Sequence, residues 1–468
     1  MLDYKNYQIH LEKTKQELDS VSDSFCIAKW KQVTMHLQNG QTHSCHHPST
    51  HHIPLSELKK SVKALHNTQH KKHQRKLMLS GQRPSECDYC WRVEDNVESS
   101  FSDRIYKSAD TWAKPYLNEC KTAAWDADVN PSYVEVNFSN VCNFKCSYCS
   151  PHISSQWMEE IEKFGPYPTD DRFNNLDWIR QQNQMPIPNR EDNPYVDAFW
   201  TWWPELYQDL QHFRITGGEP LLSRNTFQVL DYVIENPNSN LELSVNTNLN
   251  PPDDIYDRFL EKIQVIINQK SVKRFKIFTS AEAHGKHCDY IRFGMNYDKW
   301  LSNIYKAFEI VPDIEFTVMS TYNILSVYSY RQFLEDILNI KKQFVRYGQT
   351  RNPILLDIPY LRYPQHQSLF MATPDMADIV RRQVEFMYQN VENNTDSEYV
   401  PGFYQHEADK LNRIYNILVN DIAEDSQQNK NRKNFVKFVD EHDRRRGTDF
   451  VKTFPDMYEI YSNWKKLL

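Results

Sequence analysis

Short runs in which apolar and polar residues alternate recur through the middle of the chain. Tyr133-Val-Glu-Val-Asn-Phe138 is the first. Phe213-Arg-Ile-Thr216, Leu241-Glu-Leu-Ser-Val245, Phe275-Lys-Ile-Phe278 and Ile314-Glu-Phe-Thr-Val-Met-Ser320 follow, and Pro353-Ile-Leu-Leu-Asp-Ile358, which does not alternate, reads as a sixth strand. A period of two predicts β-strands. The stretches between them suit helices, and strands alternating with helices predict an α/β fold, here a partial (β/α)6 TIM barrel. Parallel strands need such crossovers, which are right-handed almost without exception.

The flanks read differently. Between Trp157 and Tyr207 an aromatic and proline-rich stretch, taken as an insertion over residues 158–206, breaks the spacing. Its Ala198-Phe-Trp-Thr-Trp-Trp203 run is expected to pack a helix onto the barrel, and Met185 to Pro194 to be irregular. Met371-Ala-Thr-Pro374 predicts a helix start with Thr373 as N-cap and Pro374 at the first position. Asp443-Arg-Arg-Arg446-Gly447 suggests a solvated helix end, with an acidic or phosphate ligand as the alternative. Before the barrel, an alternating run to Leu37, the turn Asn39-Gly40 and Cys45 predict a β-hairpin. The expected division is 1–125, 126–370 and a helical 371–468.

With 55 basic and 62 acidic residues the net charge is -7, which argues against nucleic acid as a partner. No apolar run approaches the roughly 20 residues of a membrane span. The polar N-terminus shows no secretory signal, so a cytoplasmic, reducing location is expected. There, clustered thiols point to metal binding or catalysis rather than disulfides. Glycine is scarce, 10 in 468 residues, so the pair Gly217-Gly218 after the second strand implies a backbone that approaches a ligand closely, or else a tight turn.

The densest thiol group is Cys142-Asn-Phe-Lys-Cys146-Ser-Tyr-Cys149, directly after the first barrel strand. In α/β barrels, chemistry gathers at that end of the strands. Structural zinc normally takes four protein ligands. A cubane iron–sulfur cluster held by three cysteines leaves one iron open. A zinc loop with its fourth ligand elsewhere is the alternative.

CNFKCSYC resembles the signature of radical S-adenosylmethionine (radical SAM) enzymes. The resemblance implies that Cys142, Cys146 and Cys149 hold a [4Fe-4S] cluster whose open iron chelates SAM. One electron then yields a 5′-deoxyadenosyl radical, which abstracts hydrogen from a substrate. It implies further that Tyr148 presents backbone atoms to the adenine and that Gly217-Gly218-Glu219-Pro220 binds the SAM amino group. Asn246 and Asn248 would face the ribose. Ser280 and Glu282 would contact the carboxylate and ribose hydroxyls, and Arg292 would pair with the carboxylate, which a guanidinium fork matches. No residue acting on the substrate radical is identified.

Cys26, Cys45, Cys87 and Cys90 offer four ligands, enough for a closed site. With the hairpin, Arg75-Lys-Leu-Met78 and Gly81, they resemble the twitch or SPASM modules that carry an auxiliary [4Fe-4S] cluster, although such a module more often follows the barrel. Zinc remains open at this site. His43, His46, His47, His51 and His52 lie close by, most of them read as solvated. Cys120 and Cys288 are expected to be packed.

The resulting expectation is a radical SAM enzyme with an electron donor such as a flavodoxin or ferredoxin and a peptide or protein substrate. A small-molecule radical SAM oxidoreductase and a non-catalytic iron–sulfur or zinc scaffold are the alternatives.

Overall fold

A computed structural model describes residues 4–96, 101–345, 352–395, 398–420 and 425–468. Its main sheet has nine strands: β1 (Gln32–His36), β2 (Gln41–His43), β3 (His51–His52), β4 (Tyr133–Asn137), β5 (His212–Thr216), β6 (Asn238–Asn246), β7 (Val272–Ser280), β8 (Glu315–Met319) and β9 (Ile354–Asp357). Their order is β9-β8-β7-β6-β5-β4-β1-β2-β3. The six strands β4 to β9 are parallel and neighbours in chain order. The fold is therefore α/β, with a large and mostly parallel sheet.

Alternation explains both faces of that sheet. Val134, Val136, Phe213, Ile215, Leu243, Val245, Ile277, Phe316 and Val318 are buried. The intervening residues carry charge. Arg274 reaches Glu315 at 3.2 Å on one side and Glu242 at 3.6 Å on the other, and the Arg214 guanidinium lies 3.9 Å from the Phe278 ring centre. Opposite charges on adjacent strands support the pairing. The register aligns the strand ends: Asn137 pairs with Thr216, Asn246 with Phe278, and Ser280 with Met319. One rim of the sheet thus gathers the residues that follow each strand.

The hairpin does not stand apart. β1 runs parallel to β4, with Gln32 opposite Tyr133 and His36 opposite Asn137. Val33 and Met35 are fully buried and extend the apolar face of the barrel strands. A second core, with Phe25, Trp30, Trp91, Ile105 and Trp112, fills the rest of the N-terminal part. Of the five nearby histidines, His43 is buried, and its Nε2 lies 3.2 Å from Nε2 of His36. Solvation does not describe it.

The segment 158–206 holds most of the helix Pro194–Asp209, part of the crossover from β4 to β5, with Trp202 and Trp203 buried. The aromatic run packs, as expected. The helix Pro374–Gln389 begins where predicted. The Thr373 hydroxyl, however, accepts no capping bond and is buried without a partner. Among the described residues no helix is long and apolar enough to cross a membrane.

A buried ion pair ties the C-terminal helices to the last strand. Glu407, fully buried, accepts Lys341 Nζ at 3.1 Å and the backbone N–H groups of Leu356 at 2.6 Å and Tyr404 at 2.7 Å. Replacing one partner strands the other charge, at a cost of about 3–5 kcal/mol. Glu407→Ala is expected to lower the thermal unfolding midpoint by several degrees. Glu385→Ala, which removes the exposed partner of Arg381, should change it by about 0–1 kcal/mol equivalent, near the limit of detection.

Candidate active site

The three cysteines of the loop after β4 line one cavity of about 540 Å³ at the aligned strand ends. Tyr148, Gly217, Gly218, Asn246, Asn248, Ser280 and Arg292 line it too. Glu219, Pro220 and Glu282 do not: they are buried behind its wall.

Each of the three has a bracing task. The Glu219 carboxylate accepts N–H of Leu221 at 3.0 Å and N–H of Asn248 at 2.7 Å, which joins the turn after β5 to the turn after β6. Burial raises its carboxyl to about 7, against the pull of those two donors. Pro220 opens the short helix Pro220–Leu222, and its carbonyl accepts the Thr226 hydroxyl at 2.6 Å. Glu282 holds Arg292, accepting Nε at 2.8 Å and Nη2 at 2.7 Å. Burial raises the Glu282 carboxyl while Arg292 opposes the rise, and its Oε1 is buried without a hydrogen bond.

Arg292 also donates to the Tyr148 hydroxyl at 2.6 Å, and its Nη1 lies 3.8 Å from Cys146 Sγ. Its fork is therefore largely taken up by protein groups. Asn248 is similarly engaged: its Nδ2 donates to Asn143 Oδ1 at 2.7 Å, inside the cysteine loop.

The paired glycines answer to the chain rather than to open space. A Cβ on Gly217 would lie 2.9 Å from the Ser139 carbonyl oxygen, and one on Gly218 closer still to that of Val141. Glu219 N–H donates to the same Val141 oxygen at 2.7 Å. Gly294, at φ +108°, repeats the pattern, with a Cβ position 2.7 Å from the Asn143 oxygen.

Burial pushes all three loop thiols up, Cys149 to about 12, while Arg292 and Arg446 pull Cys146 and Cys149 the other way. Thiols in this setting ionise on binding a cationic centre. Three thiols on one cavity wall, with a polar rim beside them, fit a cluster held by three cysteines and a ligand at its open iron.

Residues outside the sequence motifs complete the cavity, among them Ser150, His152, Trp178, Phe278, Thr321 and Tyr363. Alternation along β7 puts Phe278 on the same face as Ser280, so that one was within reach of the sequence. Trp178 comes from the short helix Leu176–Gln181 and Tyr363 from the irregular segment after β9, and neither carries such a signal. Cys288 is fully buried against Met295, a packed thiol as expected.

Cys26, Cys45, Cys87 and Cys90 line a second cavity, with Lys29, His47 and Arg104. Burial pushes Cys87 and Cys90 to about 12, and neighbouring thiols add to the rise. His47, expected in solvent, faces this cavity and bonds Asp103 at 2.7 Å. Among the described residues no three His, Cys, Asp or Glu side chains are grouped as they would be around a single metal ion.

Gly218→Ala is expected to push the loop off the turn after β5. Its iron content after anaerobic reconstitution should fall well below that of the native chain. Gly81→Ala, where a Cβ meets open space but φ is +76°, should cost only about 1 kcal/mol and leave iron content unchanged.

The sequence model of the Radical SAM superfamily matches residues 136–340. No curated protein sequence matches the chain. Among solved structures, SuiB of Streptococcus suis bound to S-adenosylmethionine is similar at 12% identity. That match covers 80% of this chain and 71% of that one, with a TM-score of 0.33. SuiB bound to its precursor peptide SuiA gives 14% identity, 87% and 79% coverage and a TM-score of 0.33. Those scores are too low to bear on fold or function. The family match covers β4 through the helix that follows β8, and so takes in the cysteine loop, the double glycine and Arg292. Residues 136–340 form a radical SAM domain, which implies a [4Fe-4S] cluster and SAM and supports a radical SAM enzyme.

Proposed function

We propose that Cys142, Cys146 and Cys149 hold the [4Fe-4S] cluster and that the 540 Å³ cavity receives SAM. The observation that carries this reading is the convergence of three thiols, Gly217-Gly218, Asn246, Ser280 and Arg292 on one cavity wall. Such a cluster would supply one electron for splitting bound SAM into methionine and a 5′-deoxyadenosyl radical, which would take a hydrogen atom from a substrate. The chain's own residues position and exclude water. The Gly217-Gly218 backbone forms part of the cavity wall. Glu282 fixes the Arg292 guanidinium, whose Nη1 points at Cys146 Sγ from 3.8 Å. Phe144, Phe278 and Trp178 make an apolar wall around the reacting region.

Six parallel strands in chain order, with a polar inner face and a shared rim, support the partial (β/α)6 barrel. For the substrate we favour a peptide or protein segment. The cavity adjoins a second polar one of about 360 Å³, the two sharing Trp178 and Tyr363. The side-chain amides of Gln365, Asn431 and Asn434 line the outer one. Amides offer both donors and acceptors, as a peptide backbone requires. A small molecule would leave that outer space without a task.

The four thiols around one N-terminal cavity, hairpin and C-x2-C helix together, support a twitch-like site for an auxiliary [4Fe-4S] cluster. An electron donor such as a flavodoxin or ferredoxin would supply the first cluster, and a reducing, cytoplasmic setting suits nine cysteines of which none is in a disulfide.

Anaerobically reconstituted protein should carry about eight irons, as two cubanes require. About four irons with one zinc would overturn the auxiliary assignment. With dithionite and SAM it should release 5′-deoxyadenosine, and Cys146→Ala should abolish that release. Deuterium transferred into 5′-deoxyadenosine from labelled peptides, but not from small-molecule candidates, would identify the substrate class. The reverse result would sink the peptide reading.

A further inference from the structure

The three arginines near the end of the helix Asp425–Arg446 have three separate fates. Arg444 is solvent-exposed and pairs with Glu441. Arg445 donates to the carbonyls of Gly165 at 2.9 Å and Pro166 at 3.2 Å. Arg446 is completely buried, which neither the solvated helix end nor an anion site anticipates.

Its guanidinium reaches the cysteine loop across 301 residues of sequence, where Nη1 donates to the Lys145 carbonyl at 2.7 Å. Nε and Nη2 donate to the two oxygens of Glu160, each at 3.1 Å. The guanidinium carbon lies 4.7 Å from the Trp157 ring centre. Trp157 Nε1 in turn donates to the Cys146 carbonyl at 2.8 Å. Glu160 is 2% exposed and also accepts Lys145 Nζ at 2.8 Å and the Tyr167 hydroxyl at 2.7 Å. Arg446 therefore holds the carbonyl before Cys146 and Trp157 the carbonyl after it, while Glu160 balances Arg446 and Lys145 beside them.

We propose that Arg446 is a positioning residue that holds the cysteine loop and sets the reduction potential of the cluster on Cys142, Cys146 and Cys149, with Glu160 as its opposing charge. The proposal rests on the cluster assignment made above. Reduction adds one negative charge to a cluster. A fixed cation at short range in a low dielectric stabilises the reduced state, and a fixed anion destabilises it. Arg446 and Glu160 therefore act in opposite senses although they belong to one ion pair.

That opposition gives the test. Full-length protein and the variants Arg446→Gln, Arg446→Lys and Glu160→Gln are reconstituted anaerobically and titrated against potential. The reduced cluster is followed by the electron paramagnetic resonance signal that changes on adding SAM, which separates it from an auxiliary cluster. Arg446→Gln should lower the reduced-to-oxidised ratio at fixed potential about tenfold, a shift of about 59 mV to the negative for one electron. Glu160→Gln should shift to the positive. Arg446→Lys, which keeps the charge, should recover most of the native value. If Arg446→Gln loses its cluster, the other two variants carry the test. Shifts of the same sign in Arg446→Gln and Glu160→Gln, or no shift in any variant with full iron, would overturn the proposal and leave Arg446 a purely structural tie. Native protein without a SAM-responsive signal would instead overturn the cluster assignment.

Discussion

Three carbonyl oxygens decide the shape of the site. Those of Ser139, Val141 and Asn143, at every second position along the segment that leads from β4 into the cysteine loop, each press on a glycine: Gly217, Gly218 and Gly294 in turn. Two of the three glycines come from the turn after β5 and the third from the turn after Arg292. A side chain at any of them would occupy the space of a backbone oxygen, which cannot rotate away as a side chain can. The loop can lie where it does only because both flanking turns lack Cβ atoms at the points of contact. Everything else at the site is built on that close fit, since it fixes how far Cys142, Cys146 and Cys149 stand from the rim residues.

The fit alone would leave the loop's other polar groups bare, and the rest of the chain supplies their partners. Ser147 N–H donates to the Ile291 carbonyl at 2.7 Å, and Gln367 Nε2 to the Ser147 carbonyl at 3.0 Å. The Ser154 hydroxyl donates to the Phe144 carbonyl at 2.8 Å. Trp157 and Arg446 serve Cys146 and Lys145. Buried backbone groups left unpaired cost free energy comparable to a lost hydrogen bond. The donors come from the helix Ser155–Phe164 and its N-cap Ser154, the turn after β9 and the C-terminal helix. The cysteine loop is thus where distant parts of the chain meet, and its order depends on the whole fold rather than on its own sequence.

This division also marks what sequence could disclose. The cysteine spacing, the strand periods and the double glycine are local, and each was legible with its chemistry attached. The reason for the glycines was not. Scarcity made Gly217-Gly218 conspicuous and suggested a ligand, whereas the contacts that forbid a side chain there are with the Asn137 side chain and the carbonyls of Ser139, Asn140 and Val141. Glu219 and Glu282 were legible as acidic residues in the right segments, but their work is to brace Asn248 and Arg292 from behind the wall. Arg446 was beyond reach, because its partners Glu160 and Lys145 lie 286 and 301 residues away and no periodicity links them. Edge pairing of β1 with β4 was hidden for a similar reason: alternation identifies a strand and its apolar face, but it does not say which neighbour the strand will choose.

That pairing matters for how the two cysteine cavities relate. Because β1 lies directly beside β4, His36 at the end of one strand stands opposite Asn137 at the end of the other, just before the loop of Cys142. His36 meets His43 of the neighbouring β2, whose Nδ1 bonds the carbonyl of Cys45, a residue on the wall of the N-terminal cavity. A carbonyl only accepts, so Nδ1 of His43 carries the proton, and in the neutral ring its Nε2 presents a lone pair to His36. Burial keeps both rings neutral, holding His43 near 4 and His36 near 3. Two uncharged, hydrogen-bonded imidazoles on adjacent strands thus lie between the end of β4 and the carbonyl of Cys45. The N-terminal part is not an appendage carried beside the barrel. It continues the parallel sheet through β1, and the register that sets β1 beside β4 also sets the strand β2 that leads to Cys45.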